Sequence, residues 1–187
     1  LYEDAVETYK HNLGDHIVCE DISKIDAEEI PECDIIIGGF PCQGFSVANM
    51  KRHESDERNA LYKQLIRVID AKKPKFFLAE NVKGLTNLAK GTVFQMILSD
   101  FSSLGYKVSY RVHHAADYGV PQTRQRVIII GVRNDIDFEY IFPVPTNSKD
   151  GEDGLPKWVS VGEAMSAIPD PDLPNNLPNH DYSKYKL

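Results

Sequence analysis

Three short apolar runs constrain the fold most: Cys33-Asp34-Ile35-Ile36-Ile37, Phe76-Phe77-Leu78-Ala79 and Val127-Ile128-Ile129-Ile130. Rich in β-branched and aromatic residues and too short for helices, they fit buried strands. Between them lie two stretches with helical spacing. Residues 59–71 carry Leu61, Leu65, Val68 and Ile69 on one face and stop before Pro74. Residues 92–104 carry Val93, Ile97, Phe101 and Leu104, with Gly105 following as a C-terminal stop. A further helix is expected over 2–12, a strand at Ile17-Val18-Cys19, a helical turn over 27–30 and a strand over 106–113. This alternation argues for an α/β fold. It implies a mostly parallel sheet covered by helices, with an antiparallel hairpin as the final pair.

Composition narrows the class. A chain of 187 residues, 42% hydrophobic and 26% charged, is long enough for one domain with a sizeable core. The net charge of −7 gives no overall basic character, so any nucleic-acid surface must be local. Cys19, Cys33 and Cys42 make an odd count without CxxC spacing. That argues against a disulfide framework or a zinc site and for a reducing compartment. No apolar run approaches the ~18 residues of a membrane span, so a cytoplasmic protein is expected. Seven of the eleven prolines fall in the last 45 residues, which hold one modest helical stretch at 161–168. The expected organisation is therefore a body over 1–133 and a Pro-rich extension over 134–187. The first residue is Leu1, within a helical pattern, as in a piece of a longer protein.

The strand ends carry polar residues that a core does not need. Gly38-Gly39-Phe40-Pro41-Cys42-Gln43 follows the first run and presents a thiol after a glycine turn. Open α/β sheets bind ligands beyond the carboxyl ends of their strands, which suits a nucleophile there; a free cysteine is equally a small buried hydrophobe. Asp21 and Glu80 end two other runs, and each also suits a helix cap. Gln122-Thr123-Arg124-Gln125-Arg126 precedes the last run, where paired arginines commonly mark a solvated edge. Residues 47–58 are polar without periodicity, the length of a functional or mobile loop.

Taken in order, Gly39-Phe40-Pro41-Cys42-Gln43-Gly44-Phe45-Ser46, Glu80-Asn81-Val82-Lys83-Gly84-Leu85 and Gln122-Thr123-Arg124-Gln125-Arg126 resemble three signature blocks of the C5-cytosine DNA methyltransferases. Residues 2–12, Asp21-Ile22, 56–61, 143–146 and 158–169 resemble weaker blocks, so the resemblance covers nearly the whole chain. It implies a Rossmann-like fold that binds S-adenosylmethionine and acts on double-stranded DNA. A restriction endonuclease of the same system is the implied partner, in a prokaryotic cytoplasm.

The resemblance also implies roles. Cytosine C5 is a poor nucleophile until a thiolate adds at C6, and that role falls to Cys42. Glu80 would hydrogen-bond or protonate N3, which requires it to carry a proton near neutral pH. Arg124 would contact the cytosine carbonyl oxygen, and Arg126 would brace the loop or reach a phosphate. Pro41 and Gln43 flank the thiol, and Asn81 shapes the setting of Glu80. The base would be flipped into this pocket, under a closing loop at 47–58. Asp21 would accept from the adenine amino group, with Ile22, Leu61, Leu1 and Phe40 around the ring. The family's glycine loop, its ribose-binding acid and its target recognition domain have no counterpart in these residues. The chain is therefore expected to be incomplete at both ends and inactive alone. Three rivals stay open: an RNA-directed relative, a non-catalytic binding module, and a thiol hydrolase pairing Cys42 with His113 or His114.

Overall fold

The computed structural model describes residues 3–41, 57–170 and 173. Among the described residues, four α-helices are α1 (Glu3–Leu13), α2 (Glu57–Lys72), α3 (Thr92–Ser103) and α4 (Val161–Met165), and four strands are β1 (Ile35–Gly39), β2 (Phe76–Val82), β3 (Tyr106–His114) and β4 (Gln125–Arg133). The elements divide between two compact units: Leu1–His113 with Arg126–Phe142, and His114–Gln125 with Pro143–Leu187. Among the described residues, no helix is long and apolar enough to cross a membrane.

The strands form one sheet in the order β1-β2-β4-β3. β1 pairs parallel with β2, but β2 pairs antiparallel with β4, and the sheet is mixed and mostly antiparallel. The mostly parallel sheet expected from the sequence is thus corrected. Parallel neighbours need a crossover of a dozen or more residues, usually a helix, and among the described strands only β1 and β2 are joined and paired that way, through α2. β4 instead inserts between β2 and β3. The expected strand at 17–19 does not form: Val18 is 72% exposed, Cys19 is exposed, and neither joins the sheet. Without a neighbouring ladder an extended segment gains no hydrogen bonds that water does not already supply.

Alternation along β2 sorts the core. Phe77 and Ala79 face one side with Ile36, Val127 and Ile129, packed against Tyr62 and Ile69 of α2 and Ile97 and Phe101 of α3. Burying each of the valine, isoleucine and phenylalanine side chains among them contributes about 1.5–3 kcal/mol. The Phe77 ring lies over Gly131, its register partner in β4, where a side chain would collide with it. The opposite face packs Ile130 and Val132 against Phe142, with Phe76, Leu78 and Tyr140 partly buried around them.

Two cations on α2 anchor the segment that precedes β1. Arg67 Nη2 donates to the carbonyls of Ile22 at 2.7 Å and Ile25 at 2.9 Å. The buried Lys72 ammonium donates to the Glu28 carbonyl at 3.0 Å and to Glu32 Oε1 at 3.1 Å. In both cases the cation satisfies carbonyls that no strand ladder reaches.

Candidate active site

The parallel β1–β2 pair brings two strand ends level, with Gly39 opposite Glu80. Gly38 leaves room for Leu65 of α2, whose Cδ1 would lie only 2.8 Å from a Cβ at that position. The chain leaves β1 through Phe40 and Pro41. Cys42 and Gln43 follow immediately and lie outside the described residues, as do Leu1 and positions 47–56 of the expected loop. Glu57 and Arg58, expected in that loop, already belong to α2.

Asn81 fixes this exit. Its side chain is buried, donates from Nδ2 to the Phe40 carbonyl at 2.8 Å, and accepts from the Val82 N–H at 2.8 Å. Buried polar groups must be paired, and this amide closes a link from β2 to the residue two before Cys42. The adjacent Glu80 points to the other face of the strand. Its Oε1 accepts from Arg126 Nε at 2.6 Å, with side-chain exposures of 38% and 25% respectively. Arg126 sits opposite Val82 at the start of β4, so the antiparallel β2–β4 pair delivers the guanidinium to the acid. Arg124 is exposed in the other compact unit, where its carbonyl accepts from the Ala115 N–H at 2.8 Å.

Beside the β1 exit lies a cleft of about 450 Å³. Its walls include Ile22, Gly38, Phe40, Pro41, Leu61 and Leu65, with Gln64 among the few polar contributors. Three of the residues expected around the cofactor ring, Ile22, Phe40 and Leu61, thus share one apolar wall. Asp21 adjoins Ile22. Its Oδ1 accepts from the Ser23 N–H at 2.9 Å and from the Ser23 hydroxyl at 2.8 Å, and these bonds hold its carboxyl below the usual range. Among the described residues, no group of three His, Cys, Asp or Glu side chains could hold a metal ion.

Sequence reasoning missed Leu65 as part of the cleft wall and Arg67 as the residue that holds the Ile22 carbonyl behind it. Leu65 was visible as a member of the α2 stripe, and the paired glycines Gly38-Gly39 were the signal that something packs closely over β1. Arg67 gave no such signal, because an arginine on a helix is normally solvated.

Residues 1–186 match the family of C-5 cytosine-specific DNA methylases. The type II methyltransferase M.NgoFVII of Neisseria gonorrhoeae is 46% identical over 175 residues, which cover 92% of this chain and 47% of that protein. M.BspRI of Lysinibacillus sphaericus, also a type II methyltransferase, is 47% identical over 170 residues, covering 90% and 39%. A crystal structure described as a DNA modification methyltransferase encoded within a prophage (E. coli) superposes with a TM-score of 0.66 at 31% identity, covering 89% of this chain and 46% of that one. The chain spans less than half the length of each of these relatives. Matched over nearly its whole length, it belongs to the C-5 cytosine-specific DNA methylase family.

Proposed function

We propose that the protein bearing this chain transfers a methyl group from S-adenosylmethionine to C5 of a flipped-out cytosine in double-stranded DNA. The observation that carries this reading is the Glu80–Arg126 pair at the end of β2, level with the end of β1 that leads within three residues to Cys42. A thiolate, an acid and a guanidinium are the groups that addition to cytosine requires.

In this mechanism the Cys42 thiolate adds to C6. The electron pair moves to C5 while Glu80 hydrogen-bonds or protonates N3. C5 would then take the methyl group as the methyl's bond to the donor's sulfonium sulfur breaks, and would lose its own proton to a base; the Cys42–C6 bond would break as N3 returns its proton to Glu80, restoring the aromatic ring and the thiolate. The target base cannot be reached inside the stack, so it enters the pocket flipped. The ion pair favours Arg126, rather than Arg124, as the guanidinium at the cytosine carbonyl oxygen, because that oxygen adjoins N3 and Arg126 adjoins Glu80. Arg124 is then the arginine for the DNA backbone. Pro41 restrains the chain beside the thiol, Gln43 follows it, and Asn81 holds Phe40 in place.

S-adenosylmethionine supplies the methyl group when bound, and the apolar cleft fits its adenine. Ile22, Phe40 and Leu61 would enclose the ring. Asp21 would accept from the adenine amino group through the carboxylate oxygen that Ser23 does not occupy, and Leu1 would adjoin them. A restriction endonuclease of matching specificity is the proposed partner, since the relatives are type II methyltransferases. Residues 1–187 alone are proposed to be inactive.

The test is methyl transfer by the full-length product of the gene encoding this chain, with duplex DNA and RNA as acceptors. The expected product is 5-methylcytosine in DNA, with the rate lowered about 10²- to 10⁴-fold by Glu80→Gln. Transfer to RNA only, or an unaffected Glu80→Gln enzyme, would refute the reading.

A further inference from the structure

We propose that Asp117, with His114 and Trp158, is a positioning cluster for the loop that carries Arg124. All of these residues belong to the second compact unit. The Trp158 indole Nε1–H donates to Asp117 Oδ1 at 3.0 Å, and the same oxygen lies 3.6 Å from His114 Nδ1. The imidazole and indole rings pack with centroids 4.7 Å apart. The main chain of Asp117 is held as well: its carbonyl accepts from the N–H groups of Thr146 at 2.9 Å and Asn147 at 3.0 Å. Asp117 therefore fastens the turn at Ala115–Tyr118 to both ends of the 146–158 segment.

That turn is the root of the arginine loop. The Ala115 N–H donates to the Arg124 carbonyl at 2.8 Å, and the Ala115 carbonyl accepts from the Val120 N–H at 3.3 Å. The loop leaves through Gly119 at φ +78, a left-handed conformation that glycine adopts without strain. A Cβ at Gly119 would meet Asn147 Oδ1 at 3.4 Å, so the same 146–147 segment also limits the departure point. The Arg124 side chain is exposed, while the backbone beneath it is set by hydrogen bonds that converge on Ala115 and Asp117. Fixing the backbone that carries an exposed side chain before it meets its ligand reduces the ordering cost of binding. This role rests on the reading above that Arg124 contacts DNA.

A double-mutant cycle on the full-length gene product separates positioning from a general contribution to folding. Affinity for duplex DNA and kcat/KM for methyl transfer are measured for Trp158→Phe, Arg124→Ala and the double variant, at fixed salt. Trp158→Phe keeps an aromatic ring beside His114 and removes the N–H donor together with part of the indole surface. It is expected to weaken DNA affinity about 5- to 10-fold, the scale of one lost hydrogen bond. In the Arg124→Ala background it is expected to cost less than about 2-fold on the same scale. Equal losses in both backgrounds, or no loss in the wild-type background, would overturn the proposal and leave the DNA reading of Arg124 intact. An Arg124→Ala enzyme with unchanged DNA affinity and salt dependence would overturn both. If Trp158→Phe lowers the melting midpoint, Asp117→Asn and Asp117→Ala run the same cycle. The amide keeps an acceptor for the indole N–H and should preserve affinity, whereas alanine should reproduce the loss. Equal behaviour of the two would overturn the proposal.

Discussion

Asn81→Asp is the most informative perturbation of the framework beneath the proposed thiol. The substitution preserves shape and keeps an acceptor for the Val82 N–H, but removes the Nδ2–H that satisfies the Phe40 carbonyl at 2.8 Å. At neutral pH a carboxylate oxygen then faces a carbonyl oxygen in a site where Asn81 is only 3% exposed. An orphaned buried acceptor costs about 1–3 kcal/mol, and burying the charge adds to that, so a destabilisation of about 3 kcal/mol is expected. For a chain of this size each 1 kcal/mol moves the melting midpoint by about 2–4 °C, which places the fall near 10 °C. The pH dependence has a definite sign. A protonated carboxyl can donate to the Phe40 carbonyl, so the introduced group has a raised folded-state affinity for a proton, and the deficit should shrink as pH falls from 7 towards 4. Urea unfolding of wild type and variant at pH 7, 5.5 and 4 reads the difference directly. A deficit that is below about 0.5 kcal/mol at pH 7, or that does not shrink in acid, would refute the claim that this amide ties β2 to the β1 exit.

Two further outcomes test the fold. Gly131→Ala puts a methyl group into the ring of the fully buried Phe77, and overpacking of this kind should destabilise by about 1–3 kcal/mol or more in chemical unfolding. Phe77→Leu should recover part of the loss. The buried Tyr106 hydroxyl donates to the Pro74 carbonyl at 2.7 Å, and burial pushes its pKa up to about 12 from the ordinary 10.0. Its contribution to stability should be intact below about pH 10 and decline as pH rises through about 12, because the unfolded chain ionises first. Tyr106→Phe should remove this alkaline dependence from unfolding curves.

The strands were legible where their apolar runs were longest. Phe76–Val82 and Gln125–Arg133 each contain a whole run, and Ile35–Gly39 takes up the Ile35-Ile36-Ile37 part of the remaining one. Strand direction was not legible, because alternation and β-branched content are the same for parallel and antiparallel neighbours. Only the β1-α2-β2 crossover fixed a direction, and β4 entered beside β2 from the other end. The run Ile17-Val18-Cys19 had strand composition but no ladder, and the segment after it is held instead by Arg67 and Lys72, which bond the carbonyls of Ile22, Ile25 and Glu28 across more than 35 residues of sequence. At the site, Glu80 and Arg126 were both marked by their blocks, yet their partnership depends on the Val82–Arg126 register, which no local pattern encodes. Asn81 was marked for the same reason, while its partner, a main-chain carbonyl, leaves no trace in side-chain identity.

Covalent trapping tests the central chemistry most directly. Duplex DNA carrying 5-fluorocytosine at the target position blocks loss of the C5 substituent, so an enzyme that adds a thiolate to C6 and methylates C5 cannot release the base. The full-length gene product, incubated with this DNA and S-adenosylmethionine, should form a denaturation-resistant adduct whose crosslinked peptide contains Cys42. Cys42→Ser should form none. No adduct with the wild-type protein under conditions where it methylates ordinary DNA, or an adduct that survives Cys42→Ser, would contradict the account.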